Sequence, residues 1–120
     1  MSDMKFSKDH VWVKLDNGVA LVGITDHAQN EFGDILIVDL PEEGKSFNKG
    51  EAFTEIESAK AAVEVILPFS GEVLEANEEL DDSPELINES PYENWIAKLK
   101  VNDLSELDDL MTKEEYEAGL

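Results

Sequence analysis

Asp16-Asn17-Gly18 stands between two apolar runs, Val11-Trp12-Val13-Lys14-Leu15 and Val19-Ala20-Leu21-Val22-Gly23-Ile24. Asn-Gly supplies two adjacent residues that tolerate positive φ, which is what a two-residue hairpin turn matched to the twist of its strands demands. That pair commits the N-terminal region to antiparallel β-structure, and further short apolar runs recur between turn residues. Ile35-Leu36-Ile37-Val38 is a continuous aliphatic run stopped by Leu40-Pro41-Glu42-Glu43-Gly44, the pattern of a buried strand followed by a turn. Between these segments, Asp26-His27-Ala28-Gln29 opens with a capping residue and carries Gln three positions on. Gly33 follows as a stop, so a two-turn helix is expected over 26–32.

A second hairpin is expected over about 52–69, folded about the Ala59-Lys60 bond. Ile56 then faces Val63, Thr54 faces Val65 and Phe53 faces Ile66, all good cross-strand partners. The same register sets Glu55 against Glu64, a like-charge pair tolerable only on a wet face. Ala and Lys are poor at positive φ, so the tip is expected to be a type I variant and not a primed turn. Gly33-Asp34-Ile35-Leu36 is echoed by Gly71-Glu72-Val73-Leu74, which implies two similar β halves with the Lys60 hairpin between them.

Residues 77–93 are acidic and turn-rich, with Pro84 and Pro91. Trp95 to Val101 then alternates as a last strand, with Trp95, Ala97, Leu99 and Val101 inward. The period changes in the tail, over about 104–118. Leu104, Leu107, Leu110 and Met111 have helical spacing, which core packing explains, and Thr112 with Glu115 forms a capping box before Gly119. A chain of 120 residues with this pattern reads as one mostly β domain, 1–120, with a modest core.

Charge narrows the partners. Twenty-nine acidic residues against nine basic ones leave a formal charge of −20, and every basic residue is lysine, so no arginine fork is available for phosphate. Nucleic acid and anionic membranes are therefore poor partners, and neither is expected. The absence of cysteine removes disulfides, thiolate metal ligands and a cysteine nucleophile, and fits a reducing compartment. The opening MSDMKFSKDH holds no apolar run suited to a signal peptide, and no segment is long enough to cross a bilayer, so a soluble cytoplasmic protein is expected.

Catalytic constellations are mostly missing. His10 and His27 sit in no ligand spacing and read as structural or surface residues. An EF-hand register from Asp81 puts Leu86 where glycine is needed and Tyr92 where the bidentate glutamate belongs, so calcium fails. No phosphate loop, nucleophile elbow or metalloprotease helix is present.

Lys60 stands apart because of its surroundings. Ala59, Ala61 and Ala62 are weak strand formers, and their use at a hairpin tip makes sense where another protein must approach the lysine closely. A lysine near a turn is more often a solubility device, and spacing alone does not overrule that reading.

Taken together, the blocks resemble the H-protein family of the glycine cleavage system, whose lipoyl lysine lies in a motif close to E-S-V-K-A. Here it stands as Glu57-Ser58-Ala59-Lys60-Ala61. The resemblance also runs through His10-Val11-Trp12, Val22 to Gln29, Gly33-Asp34, Asp39-Leu40-Pro41, Ser70 to Val73, Pro84 to Asn88, Pro91-Tyr92 and Trp95. It implies a barrel-sandwich hybrid of two small sheets with a short connecting helix and C-terminal helices, and lipoic acid joined by an amide to Lys60.

The implied role is a shuttle without catalysis of its own. In the family, the arm accepts an aminomethyl group from glycine decarboxylase and passes the one-carbon unit to tetrahydrofolate at aminomethyltransferase. It is then reoxidised by dihydrolipoyl dehydrogenase. A lipoate ligase or lipoyl transferase is the implied modifying enzyme, and the carrier is expected as a monomer. The family tucks the loaded arm into a surface cleft, where Glu64 occupies the matching acidic position. Val11 stands where the family has glutamate in that cleft, so Glu at position 11 is expected to lengthen the lifetime of the loaded state. Ala59, Val63 and Asn94 are further departures from the family pattern. These departures leave open an H-like lipoyl carrier serving lipoate relay or sulfur metabolism, and an unmodified interaction protein on the same fold.

Overall fold

The computed structural model describes residues 4–120; the three residues before them, which the single-domain expectation includes, lie outside the described residues. Among the described residues, nine strands form two antiparallel sheets. The larger sheet is built from β1 (Met4–Phe6), β2 (Val11–Asp16), β3 (Val19–Ile24), β5 (Ser46–Phe47), β8 (Gly71–Ala76) and β9 (Ala97–Val101), in the order β1-β2-β3-β9-β8-β5. The smaller contains β4 (Ile35–Asp39), β6 (Ala52–Ser58) and β7 (Ala62–Ile66), in the order β4-β6-β7. Their inner faces meet in one core cluster, with Val11, Val13, Val22 and Leu99 from the large sheet and Val38, Ile56 and Val65 from the small.

The first hairpin forms as its turn chemistry demands. Asn17 and Gly18 take φ of 53° and 80°, and Asp16 pairs with Val19. Behind this sheet lies a second cluster of Phe6, Trp12 and Tyr116. Trp12 needs Gly23 opposite it, because a Cβ there would fall 2.7 Å from the indole nitrogen.

Helix α1 (Asp26–Phe32) has the expected length, but its N-cap is Thr25 and not Asp26. Thr25 Oγ1 accepts from Ala28 N–H, and Asp26 moves into the first turn, where its carboxylate accepts from Gln29 and Asn30. Gly33 closes the helix at φ 74°. Residues 77–93 hold two single-turn helices that the turn-rich composition concealed, α2 (Glu79–Asp82) and α3 (Leu86–Glu89), seated by wholly buried Leu80 and Ile87.

β4 is not a buried strand. A register shift between Ile35 and Ile37 turns Leu36 and Ile37 to solvent, 56% and 52% exposed, while Ile35 and Val38 remain in the core. β8 carries the matching irregularity between Val73 and Glu75. Leu74 is exposed at the position of Leu36, and Val73 is buried at the position of Ile35. The sequence echo is therefore a repeated bulged strand, one copy in each sheet.

The last strand begins at Ala97, and its inward residues are Ala97, Leu99 and Val101. Trp95 instead packs on the second cluster, and Ile96 takes the place in the main core. In the tail, Leu104–Asp109 is a 3-10 helix that buries Leu107 but leaves Leu104 53% exposed, because its turns are tighter than the α-helical spacing assumed. Met111 bridges to Phe6, and α4 (Lys113–Ala118) starts at the Thr112–Glu115 capping box, with both reciprocal bonds formed. Its buried Tyr116 ring stacks on Phe6 at 4.9 Å, which ties the chain's end to its beginning.

Candidate functional site

The β6–β7 hairpin carries the site. Ile56 pairs with Val63, Thr54 with Val65 and Glu55 with Glu64, as the sequence predicted. The Phe53–Ile66 pairing fails: Ala52 faces Ile66, and a bulge at this end admits both Phe53 and Thr54 to the interior. Glu55 and Glu64 are both exposed, which makes their like charges tolerable. Asp39 of β4 lies beside Glu55, so the outer face of the small sheet presents a row of three carboxylates, Asp39, Glu55 and Glu64. Glu57, paired with Ile37 and Ala62, begins the next row toward the tip.

At the tip Ala59, Lys60, Ala61 and Ala62 are all exposed. The turn is not primed, since neither Ala59 nor Lys60 has positive φ. Ser58 does the work that turn propensity does not. Its N–H donates to Ala61 O at 2.8 Å, and its hydroxyl donates to the same oxygen at 3.1 Å. That hydroxyl also accepts from the N–H groups of Lys60 and Ala61, each at 3.3 Å. One small side chain thus closes the loop from inside and leaves its outside bare.

A second anchor comes from the neighbouring strand. Ala59 N–H donates to Asp34 O at 3.0 Å, and Asp34 lies between two residues held by Asn88. The Asn88 amide donates to Gly33 O at 2.8 Å and to Gln29 Oε1 at 3.0 Å, while its oxygen accepts from Ile35 N–H at 3.0 Å. Asn88 therefore fastens α3 to the end of α1 and the start of β4, and through Asp34 fixes the base of the turn. Asn88 lay within a family-like block, but nothing in its spacing gave it this task, because its partners are distant in the chain.

The Lys60 side chain lies over Gly33, where an added Cβ would come 3.5 Å from Lys60 Cε. Gly33 serves twice, as a helix end at positive φ and as open floor under the lysine. Among the described residues Lys60 Nζ forms no ion pair and no hydrogen bond, in a chain whose carboxylates far outnumber its lysines. A braced backbone beneath a free primary amine suits acylation and suits a tether whose root must not move.

The remaining expected residues divide. Glu57, Ser58, Ala59 and Ala61 are gathered at the tip with Lys60, whereas Glu64 lies farther down the hairpin, in the carboxylate row. Val11 is wholly buried in the main core. A glutamate there would face apolar neighbours before it could meet any cargo, so the simple gain expected from Val11→Glu does not follow from this packing.

His10 and His27, which sequence spacing kept apart, are brought together. Their ring centroids are 4.6 Å apart, and Glu31 Oε1 is 3.0 Å from His27 Nε2. Burial, then the charge of His27, lower the pKa of His10. Only the folding of α1 against the strand that follows His10 creates this cluster.

Comparison with known proteins places this architecture. The family model described as glycine cleavage H-protein matches residues 4–120. A probable glycine cleavage system H protein of Thermococcus gammatolerans is 61% identical over 113 residues, covering 92% of this chain and 84% of the relative. The glycine cleavage system H protein of Clostridioides difficile is 53% identical over 121 residues, covering 100% and 97%. The crystal structure of a glycine cleavage system H protein from Mycobacterium marinum superposes with a TM-score of 0.89 at 32% identity, covering 100% of this chain and 99% of that one. With two antiparallel sheets, a bare lysine at a braced hairpin tip and a family match along essentially its whole length, this chain belongs to the glycine cleavage H-protein family of non-catalytic lipoyl carriers.

Proposed function

We propose that Lys60 is the residue that carries lipoate, and that the chain acts as one domain shuttling an aminomethyl group within the glycine cleavage system. The observation that supports this most directly is the tip itself: an exposed lysine, without an ion pair or hydrogen bond from Nζ among the described residues, on a turn locked by Ser58 and by Asp34 O. Bound lipoate supplies a dithiolane whose sulfurs accept the cargo and are afterwards reoxidised. The protein's part is mechanical and electrostatic. Ser58 and Asn88 keep the root of the tether still, Gly33 leaves space beneath it, and Ala59 and Ala61 let an enzyme's active site close over the lysine.

A tethered arm turns each transfer into an effectively intramolecular event, at millimolar effective concentration for a short flexible link. The partners of this reading are glycine decarboxylase, aminomethyltransferase, dihydrolipoyl dehydrogenase and a lipoate ligase or lipoyl transferase. Glu57 and Glu64 with Asp39 and Glu55 make the hairpin's outer face acidic, which favours enzymes whose mouths are basic. A cytoplasmic setting is part of this proposal; no helix among the described residues is long and apolar enough to cross a membrane.

Co-expression with a lipoate ligase is expected to add one lipoyl mass to the intact protein, and Lys60→Ala to abolish the addition. An unchanged wild-type mass would overturn the carrier assignment. Lipoylated protein is further expected to support glycine–bicarbonate exchange with the cognate decarboxylase; modified protein that fails to do so would point to a different cargo.

A further inference from the structure

We propose that His10, His27 and Glu31 form a binding site for a single divalent cation of the zinc type, with one coordination position left open. One donor atom from each of the three lies within 4.8 Å of the others. Two imidazoles and one carboxylate are the donor set of zinc sites that keep an exchangeable position, and imidazole selects zinc, nickel or copper over magnesium and calcium. Zinc bonds of about 2.0–2.2 Å to nitrogen and oxygen hold tetrahedral donors roughly 3.4 Å apart. His27 Nε2 and Glu31 Oε1, at 3.0 Å on successive turns of α1, are already that close, so closure asks only for small side-chain rotations.

His10 is prepared for this from behind. Its Nδ1 is 2.6 Å from Tyr116 Oη, which leaves Nε2 as the nitrogen available to a cation. Tyr116 Oη is in turn 2.7 Å from Thr25 Oγ1, the cap of the helix that carries the other two donors. With Nδ1–H donating to Tyr116 and Tyr116 O–H donating to Thr25, Nε2 presents a lone pair, the arrangement that orients metal-binding histidines generally.

The backbone is equally committed. His10 holds φ at 64°, an uncommon conformation for a residue with a side chain, costing about 1–2 kcal/mol. It is kept there by its N–H donating to Ser7 O at 3.1 Å and its carbonyl accepting from Thr25 N–H at 3.0 Å. Strain of this kind gathers where a side chain must be aimed. An ordinary helical His–Glu pair accounts for His27 and Glu31, but for neither the aimed ring of His10 nor the hydroxyl relay behind it.

The test uses the untagged, metal-free full chain without lipoate, so its outcome is independent of the Lys60 assignment. Zinc titration by calorimetry in millimolar magnesium is expected to show one ion per chain, and cobalt substitution to give the intense visible bands of four-coordinate geometry. His27→Ala and Glu31→Gln, both on the surface of α1, should each weaken zinc binding by about tenfold or more. Zinc bound as tightly by His27→Ala as by wild type, or displaced by magnesium, would overturn the site and leave only diffuse attraction to an acidic surface.

Discussion

Asn88 illustrates how much can rest on one amide. It spends both N–H donors and its oxygen on Gln29, Gly33 and Ile35, and removing it orphans the Ile35 N–H beside the tip's second anchor. Asn88→Ala is expected to lower unfolding free energy by about 1–3 kcal/mol and to slow the lipoylation proposed at Lys60, checked by urea denaturation and by timed intact-mass measurements. Val11 makes the opposite point. The side chain is wholly buried, so Val11→Glu places a carboxylate in the core at a cost of several kcal/mol near neutral pH. Burial raises such a group's pKa, so the folded state takes up its proton first and part of the lost stability returns as pH falls from 7 toward 5. Denaturation midpoints that stay level across that range would show that the core opens to solvate the charge.

Among the elements, the β6–β7 hairpin shows which parts of a register local chemistry can fix. Its central pairs follow from matching apolar residues, but the bulge at Ala52–Thr54 does not, because it depends on what the opposite sheet leaves room for. The Glu55–Glu64 pair is a standing cost on an exposed face. Glu64→Lys is expected to raise stability by about 0.2–1 kcal/mol through a favourable cross-strand pair, read by thermal denaturation, while weakening engagement of enzymes that favour the carboxylate row. A loss of stability would show that the row is compensated elsewhere. The bulged β4 and β8 carry the same lesson. Four consecutive aliphatic residues read as buried, yet a shift of register sends Leu36 and Ile37 outward and leaves exposed aliphatic surface near the acidic rows.

For the molecule as a whole, the decisive feature is closure of the C-terminal helix on the N-terminal strand. Tyr116 stacks on Phe6 and reaches both His10 and Thr25, so the chain's end supports residues that α1 and the loop before β2 contribute. That closure carries a pH dependence. The pKa of His10 lies below its ordinary 6.5, mainly through burial, so the unfolded chain binds this proton more readily than the folded one. Its contribution is present above about pH 6.5 and is lost as pH falls below that value. In metal-free buffer the thermal midpoint should fall between pH 7 and 5.5, and His10→Asn, which tolerates positive φ, should flatten that slope; an identical slope would assign the proton elsewhere. The hairpins, the helix over 26–32, the capping box at Thr112 and the lysine at the tip were legible in the sequence, because each rests on contacts among residues a few positions apart. It also carried the family resemblance, through ordered blocks along nearly the whole chain. Tertiary packing alone turns Leu36 and Ile37 to water, buries Val11, makes Asn88 the brace of the turn and gathers two histidines beside one carboxylate. Those outcomes depend on which distant segments pack together, and no local period or propensity encodes that.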